Sequence, residues 1–240
     1  MPAVSIVLPT FNQARWLDGA IESVRRQTFA DWELLVVDDG STDDTPAIVA
    51  RYADDARIRY LPGPRTERAA ARNRGIAASS GDLVAFLDTD DRWLPEKLDR
   101  QVAALAAARD AGLCYTIARF VDADDRPLAL RKPPRAVAGN LFPALMRANL
   151  IIIASVVARR RCLDEVGGFD ESLPVYGCED WDVWLRIARR HTVTVVDDEL
   201  TLYRVHAGNT PVESLLASGL AVLDRRYAEP GTAEAGGLSR

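Results

Sequence analysis

An α/β protein with a doubly wound, mostly parallel sheet flanked by helices is predicted by three features of the 240-residue sequence. Short β-rich runs alternate with helical patterns through residues 1–115, the order expected of a parallel sheet with crossover helices. The run WELLVVDD is almost continuously apolar, as in a strand covered on both faces. Helix start and stop signals separate the runs, among them Thr45 followed by Pro46 and the stop at Gly81.

The elements follow in order. VSIVLPT, bounded by Pro9, reads as the first strand. Residues 14–27 place Trp16, Leu17, Ala20, Ile21 and Val24 at helical spacing. WELLVVDD is the second strand, RIRYLP the third and DLVAFLD the fourth. A helix opens at Thr45, another runs through RTERAAARNRGIAASSG, and a long Ala-rich helix spans Leu94 to Ala111. Beyond it, AGLCYT and IARFVD read as two strands, RKPPRAVAG as a basic loop and LFPALMRAN as a short helix. IIIASVVAR reads as a strand. EDWDVWLRIARR reads as an amphipathic helix with Trp181, Trp184, Leu185 and Ala188 on one face. HTVTVVDDELTLYRVH gives two further short strands. No internal repeat is evident.

Composition narrows the function classes. The net charge of −5 argues against a broad electrostatic grip on nucleic acid. Cys114, Cys162 and Cys178 are far apart and form no C-x-x-C pair, so free buried thiols are expected. The first residues are strand-like rather than a charged region followed by a secretory apolar stretch. The longest apolar run, Leu150 to Ala158, is too short to span a bilayer. A cytoplasmic protein without a transmembrane segment is expected, and peripheral membrane contact is compatible with this.

The acidic residues carry the chemical information. In a doubly wound sheet, ligands bind outside the carboxyl ends of the strands. Here those ends are Pro9-Thr10, Asp38-Asp39 and Asp88-Asp90. Asp43 and Asp44 sit at a helix start, where carboxylates are favoured. Asp38 and Asp39 end a buried strand ahead of Gly40, either solvating that end or accepting from a ligand. Neither a G-x-G-x-x-G nor a G-x-x-x-x-G-K-[ST] cradle is present. In FLDTDD, Asp88 and Asp90 would share one side of extended backbone, with Asp91 on the other. A divalent cation would relieve their repulsion, Mg²⁺ and Mn²⁺ preferring such oxygen ligands. The alternative is a solvated turn in which Asp91 caps the helix at Leu94-Pro95. Glu179 and Asp180 open a helix, with Asp180 suited to the N-cap and Asp182 to the first turn. Capping and facing a cleft are compatible. Arg72 and Arg74 are either solvated helix charges or partners of a ligand diphosphate. His206 stands alone in YRVH, and His191 follows a helix end where a dipole contact suffices.

Five stretches in order across residues 4–206 resemble the family 2 glycosyltransferases of the GT-A fold: SIVLPTFN, LLVVDDGSTDDT, ARNRGIAASSGDLVAFLDTDD, VGGFDESLPVYGCEDWDVWLR and YRVH. The resemblance implies an inverting, metal-dependent transferase that moves a single sugar from a nucleotide-diphospho-sugar, a UDP-sugar first, to a carbohydrate or other hydroxyl acceptor. It implies that Pro9, Thr10 and Asp39 hold the nucleobase, with Asp38 beside them and Arg72 near the nucleotide. Asp88 and Asp90 match the D-x-D motif. Asp90 would reach Mg²⁺ or Mn²⁺, and Asp88 would contact the ribose or support the metal shell. Asp180 matches the catalytic base, with Glu179 in support, and His206 matches a histidine that helps bind the metal. On this reading residues 1–115 form the nucleotide-sugar-binding half. Residues 116–225 form the acceptor and catalytic half of the same domain, and residues 226–240 a tail. The chain lacks the Q-x-x-R-W motif of processive synthases. Two other classes compete: a nucleotidyltransferase that makes sugar nucleotides, for which PTFNQARW lacks a Gly-rich basic loop, and a catalytically silent sugar-nucleotide-binding protein.

Overall fold

The structure, a computed structural model, describes residues 1–129, 136–173 and 177–229. The first half runs β1 (Val4–Thr10), α1 (Ala14–Arg25), β2 (Trp32–Asp38), α2 (Thr45–Ala50), β3 (Ile58–Pro62), α3 (Arg68–Ala78), β4 (Leu83–Phe86), β5 (Arg92–Trp93) and α4 (Lys97–Ala107). The second runs β6 (Ala111–Val121), α5 (Phe142–Leu145), a 3-10 turn (Ile153–Ser155), β7 (Val156–Arg159), α6 (Arg160–Val166), α7 (Glu179–Ala188), β8 (Thr192–Arg204) and α8 (Val212–Tyr227). All strands join one eight-stranded sheet in the order β3-β2-β1-β4-β7-β6-β8-β5. The β3-β2-β1-β4 portion is parallel, and β7 pairs antiparallel with both β4 and β6.

Period-two alternation divides the core between the two sheet faces. Ile6, Leu8, Leu34 and Val36 pack with α1 residues Leu17 and Ile21. Val7, Leu35, Val37 and Phe86 pack toward Trp184 of α7. Each such fully buried side chain contributes roughly 1.5–3 kcal/mol. Close approach of α3 to the sheet depends on Gly75, where a Cβ would lie 2.5 Å from Val7 Cγ1 and 3.0 Å from Val37 Cγ2. No helix among the described residues is long and apolar enough to cross a membrane. Cys114, Cys162 and Cys178 are free and buried.

Several local expectations change. The helix expected over 94–111 is confined to α4, because Leu94 donates its N–H to Leu200 O at 2.9 Å and continues strand pairing. At its other end the Arg159 guanidinium caps the carbonyls of Leu105 and Ala108 and reaches Ala111 O. AGLCYT and IARFVD form the single strand β6. HTVTVVDDELTLYRVH likewise forms the single strand β8, whose pairing with β6 jumps from Thr116↔Val196 to Ile117↔Glu199. Asp197 and Asp198 fall in that bulge, which explains why the sequence reads as broken there. IIIASVVAR is a strand only from Val156. Ahead of it Ser155 bonds back to Ile152 O, while Ala154 O and Ser155 O accept from Trp93 Nε1 and Gln101 Nε2. Within RKPPRAVAG, residues 131–135 lie outside the described residues, as does most of the expected tail; Arg226 and Tyr227 are helical.

Candidate active site

Three strand ends meet at one sheet edge. Thr89 donates its hydroxyl to Pro9 O at 2.7 Å, and Asp39 donates its N–H to Thr10 O at 2.9 Å. Pro9, Thr10, Asp39, Asp88 and Asp90 line one groove of about 200 Å³ together with Arg65, Arg68 and Arg72. The juxtaposition expected from the sequence is therefore present. Asp38 is the exception. It turns away from the groove and accepts from the Ser41 N–H at 2.9 Å and the Tyr60 hydroxyl, anchoring the loop after β2. That loop turns at Gly40, whose φ of +86° is a conformation that L side chains rarely adopt.

Asp39 is buried and fully bonded. Its carboxylate accepts from Thr66 N and Oγ1 at 2.8 and 2.6 Å, Glu67 N at 3.0 Å and Arg65 Nη1 at 2.9 Å. Arg65 also stacks 3.8 Å from the centre of the Phe11 ring. Asp43 caps two helices at once, accepting from Ala14 N and from Thr45 N and Oγ1, whereas Asp44 makes no side-chain cap.

The FLDTDD run is a turn, not extended backbone: Asp91 N donates to Asp88 O at 3.1 Å. Asp88 and Asp90 nonetheless face the same groove. Asp91 does not cap the next helix, which opens at Lys97 with Glu96 as its N-cap residue. It is 1% exposed and accepts the backbone N–H of Arg204 at 2.9 Å, tying the turn to the end of β8. Burial, then Asp90 and Asp88, raises its pKa well above the ordinary carboxylate value. Burial and the neighbouring Asp88 also raise Asp90, opposed by its bond with His206.

His206 Nε2 lies 2.9 Å from Asp90 Oδ2, and its Nδ1 accepts the Gly208 N–H at 3.0 Å. A neutral ring thus carries its proton on Nε2, pointed at Asp90. The Trp16 ring supports the imidazole, with centroids 5.7 Å apart. His191 is not a simple dipole contact but pairs with Glu165 at 2.7 Å.

Arg72 is not a solvated helix charge. It is 3% exposed, with Nη2 on Asp88 Oδ1 at 2.7 Å and Nη1 on Glu179 Oε1 at 2.6 Å. Burial works to lower its pKa, but the two carboxylates outweigh this and hold it above the ordinary value. Arg74 reaches Asp38 O instead.

Arg72 also lines a second cavity, of about 510 Å³, together with Asp88, Glu179, Asp180 and Asn149. Asp180 is the second residue of α7, not its N-cap, which is Cys178. Its Oδ1 accepts the Trp181 N–H at 2.7 Å, and Asn149 Nδ2 approaches only to 3.4 and 3.5 Å. Burial, then the charge of Glu179, pushes its pKa up to about 7 against the opposing pull of Arg72 and the Trp181 N–H. Asp182 is wholly buried between Arg186 and Arg226, so it fastens α8 to α7.

Arg65, Arg68, Asn149 and Tyr203 also line these cavities, and no sequence expectation named them. The arginines had a signal: with Arg72 they recur at helical spacing. Among the described residues no three His, Cys, Asp or Glu side chains form a ready metal cage. Asp88 and Asp90 offer carboxylate oxygens to the groove, and His206 Nε2, 2.9 Å from Asp90 Oδ2, would join them on giving up its proton. That partial set fits Mg²⁺ or Mn²⁺, which keep places for water and substrate phosphates.

Comparisons with known proteins give the family and the fold. The model of Glycosyl transferase family 2 matches residues 5–151. An Escherichia coli protein, WfgD, named as a UDP-Glc:α-D-GlcNAc-diphosphoundecaprenol β-1,3-glucosyltransferase, is 42% identical over 195 residues, covering 81% of this chain and 73% of its own. An uncharacterized glycosyltransferase of Rickettsia felis is 30% identical over 206 residues, covering 85% of this chain and 33% of its own. The chain spans about a third of the length of that relative and of two similar Rickettsia proteins. S. aureus TarS 1-349 in complex with UDP matches with a TM-score of 0.74 at 18% identity, over 97% of this chain and 68% of that one. The mannosyltransferase PcManGT from Pyrobaculum calidifontis, in complex with GDP-Man and Mn²⁺, matches with a TM-score of 0.69 at 18% identity, over 98% of this chain and 73% of that one.

Proposed function

The chain belongs to glycosyl transferase family 2 and has the GT-A fold, and on that premise we propose that it moves a single sugar from a UDP-sugar to an acceptor hydroxyl with inversion. The observation that carries this reading is the placement of Asp180 across Arg72 from the Asp88–Asp90 turn. One group can then act on the acceptor while others hold the donor.

The groove of Pro9, Thr10 and Asp39 takes the uridine, and Arg65 and Arg68 face the diphosphate side. WfgD is named for a UDP-sugar donor and TarS was solved with UDP, which supports UDP as the nucleotide. Asp90 and His206, assisted by Asp88, would hold a divalent cation. When bound, such an ion supplies Lewis-acid stabilisation of the charge on the departing diphosphate. Arg72 keeps the carboxylates of Asp88 and Glu179 apart and neutralised.

Asp180 accepts the proton of the acceptor hydroxyl as that oxygen attacks the anomeric carbon. The bond to the UDP oxygen breaks on the opposite face, and the electron pair leaves with UDP. A pKa near 7 suits this task, since a base poised near the working pH combines ionisation with proton affinity. One displacement needs one base and no covalent nucleophile.

The test uses purified protein with UDP-sugars and Mn²⁺. UDP should raise the melting temperature of wild type and of Asp180→Asn alike. Wild type alone should release UDP from the sugar nucleotide. Binding without turnover in wild type, across donors and acceptors, would instead establish a silent sugar-nucleotide-binding protein.

A further inference from the structure

The groove and the larger cavity adjoin. Arg68, Arg72, Asp88, Tyr203 and Thr210 line both. Four of these side chains have partners within the protein. Arg72 pairs with Asp88 and with Glu179, and Arg68 donates to Thr210 Oγ1 at 3.0 Å. Tyr203 differs. Its side chain is partly buried, yet its hydroxyl makes no hydrogen bond among the described residues. A tyrosine hydroxyl taken out of water usually finds a partner.

The strand fixes where this hydroxyl lies. Tyr203 stands opposite Phe120 in the pairing of β6 with β8, and the two rings meet edge to face with centroids 5.5 Å apart. The next residue, Arg204, is pinned through its N–H to Asp91 Oδ1 at 2.9 Å and through its guanidinium to Asp90 O at 2.8 Å and Asp122 O at 3.0 Å. The phenol is therefore carried on rigid backbone, the kind of support that holds a contact to a ligand in place. Burial, then the charges of Asp91, Asp90, Asp88 and Asp180, keeps the proton on its oxygen. Those carboxylates come from the turn after β4 and from α7, so the O–H sits between the two groups of acids as a donor.

In a single displacement the reacting carbon lies between the departing diphosphate oxygen and the attacking oxygen. With UDP in the smaller groove and Asp180 in the larger cavity, the transferred sugar crosses the seam that these five residues share. We propose that Tyr203 determines which sugar is accepted, its O–H donating a hydrogen bond to one hydroxyl oxygen of the transferred sugar. A site built to bond a substrate hydroxyl discriminates against the analogue that lacks it, because the protein group is then left unpaired. The inference rests on reading the smaller groove as the UDP site.

Titration calorimetry with Mn²⁺ tests it, comparing UDP with UDP-glucose, UDP-galactose and UDP-N-acetylglucosamine. The Asp180→Asn background keeps the sugar nucleotide from being consumed. Adding Tyr203→Phe keeps the ring on Phe120 and removes only the O–H. The melting temperature and the affinity for UDP should then stay the same. Affinity for the sugar nucleotide that binds most tightly should fall about 2- to 10-fold. Deoxy analogues of that sugar nucleotide identify the hydroxyl. One of them should bind as weakly as the full sugar binds the Tyr203→Phe protein, with no further loss when both groups are removed. Equal losses for UDP and the sugar nucleotide would move Tyr203 to the diphosphate and overturn the inference. So would an unchanged sugar-nucleotide affinity, a loss that no deoxy analogue reproduces, or a site that binds UDP and none of the sugar nucleotides. A lowered melting temperature with loss of both ligands would make Tyr203 structural only. A protein that binds no UDP would instead overturn the donor reading, so the two failures are distinguishable.

Discussion

The two sides of Arg72 use their carboxylates in opposite ways. On the side of the parallel strands, Asp39 accepts four hydrogen bonds from the loop that leads into α3. On the α7 side, Asp180 accepts one short bond and two long ones, and lines the larger cavity beside Glu179. A fully bonded carboxylate is fixed as an acceptor and gives the groove its shape. An under-bonded one whose pKa is lifted to about 7 is able to trade a proton. On the proposed reading, the Asp39 groove serves recognition and the Asp180 cavity serves chemistry.

The largest effect expected of this division is at Asp180. Asp180→Asn keeps the size of the side chain but cannot take the proton, so turnover should fall by ~10²–10⁴-fold while UDP binding is retained. Equal loss of UDP binding, read by thermal shift, would put Asp180 on the recognition side. The ionised form is the base, so the wild-type rate should rise with pH and level off above about 7. Glu179→Gln removes the like charge that helps raise Asp180, so the midpoint should move down in pH. A midpoint that stayed in place would show that Glu179 does not act through Asp180.

Arg72 is the hinge of the comparison, because it serves both sides. Arg72→Met leaves Asp88 and Glu179 without their buried cation and should cost about 3–5 kcal/mol of stability by urea denaturation. In whatever fraction folds, losing a positive neighbour should move the pH midpoint of Asp180 upward, opposite to Glu179→Gln. Opposite shifts from two members of one ion pair are not produced by a general loosening of the fold.

The groove at the strand ends was largely legible in the sequence and the second cavity less so, for a physical reason. Strand-end acids announce themselves locally: Asp39 and Asp88 each follow an apolar run that has to be a strand, and strand ends share an edge. Asp91 did not, because what decides its place is the Arg204 N–H, 113 residues away. The same holds for Arg72, whose second partner, Glu179, is 107 residues away. The α8 helix was not anticipated at all. Its apolar residues surround the helix instead of forming one stripe, which blurs the periodic signal. Asp91 offers a measurable consequence. Asp91→Ala should cost about 1–3 kcal/mol by leaving the buried Arg204 N–H unpaired, whereas Asp91→Asn keeps an acceptor there and should cost less. If the two variants lost equal stability, the Arg204 contact would not be what holds Asp91 in place.

The smallest effect lies away from both cavities and tests whether burial alone can shift a group as it shifts Asp180. Lys97 opens α4 fully buried, with Nζ on Gln101 Oε1 at 2.7 Å and 4.0 Å from the centre of the Trp93 ring. Burial lowers its pKa to about 7 from the ordinary 10.5. Between those values the unfolded chain holds a proton that the folded chain has released. Stability should therefore rise with pH across that window, by at most about 1.4 kcal/mol per pH unit. Below about 7 both states are protonated and the slope vanishes. Lys97→Met removes the titrating group, so urea denaturation at pH 7 and pH 9 should show a slope in wild type that is flattened in the variant. Other groups titrate alike in both proteins, which makes the difference in slope the quantity to read. Identical slopes would mean that Lys97 keeps its proton in the folded core, held there by the Trp93 ring face and Gln101, and that burial is a weaker lever in this protein than the raised pKa of Asp180 requires.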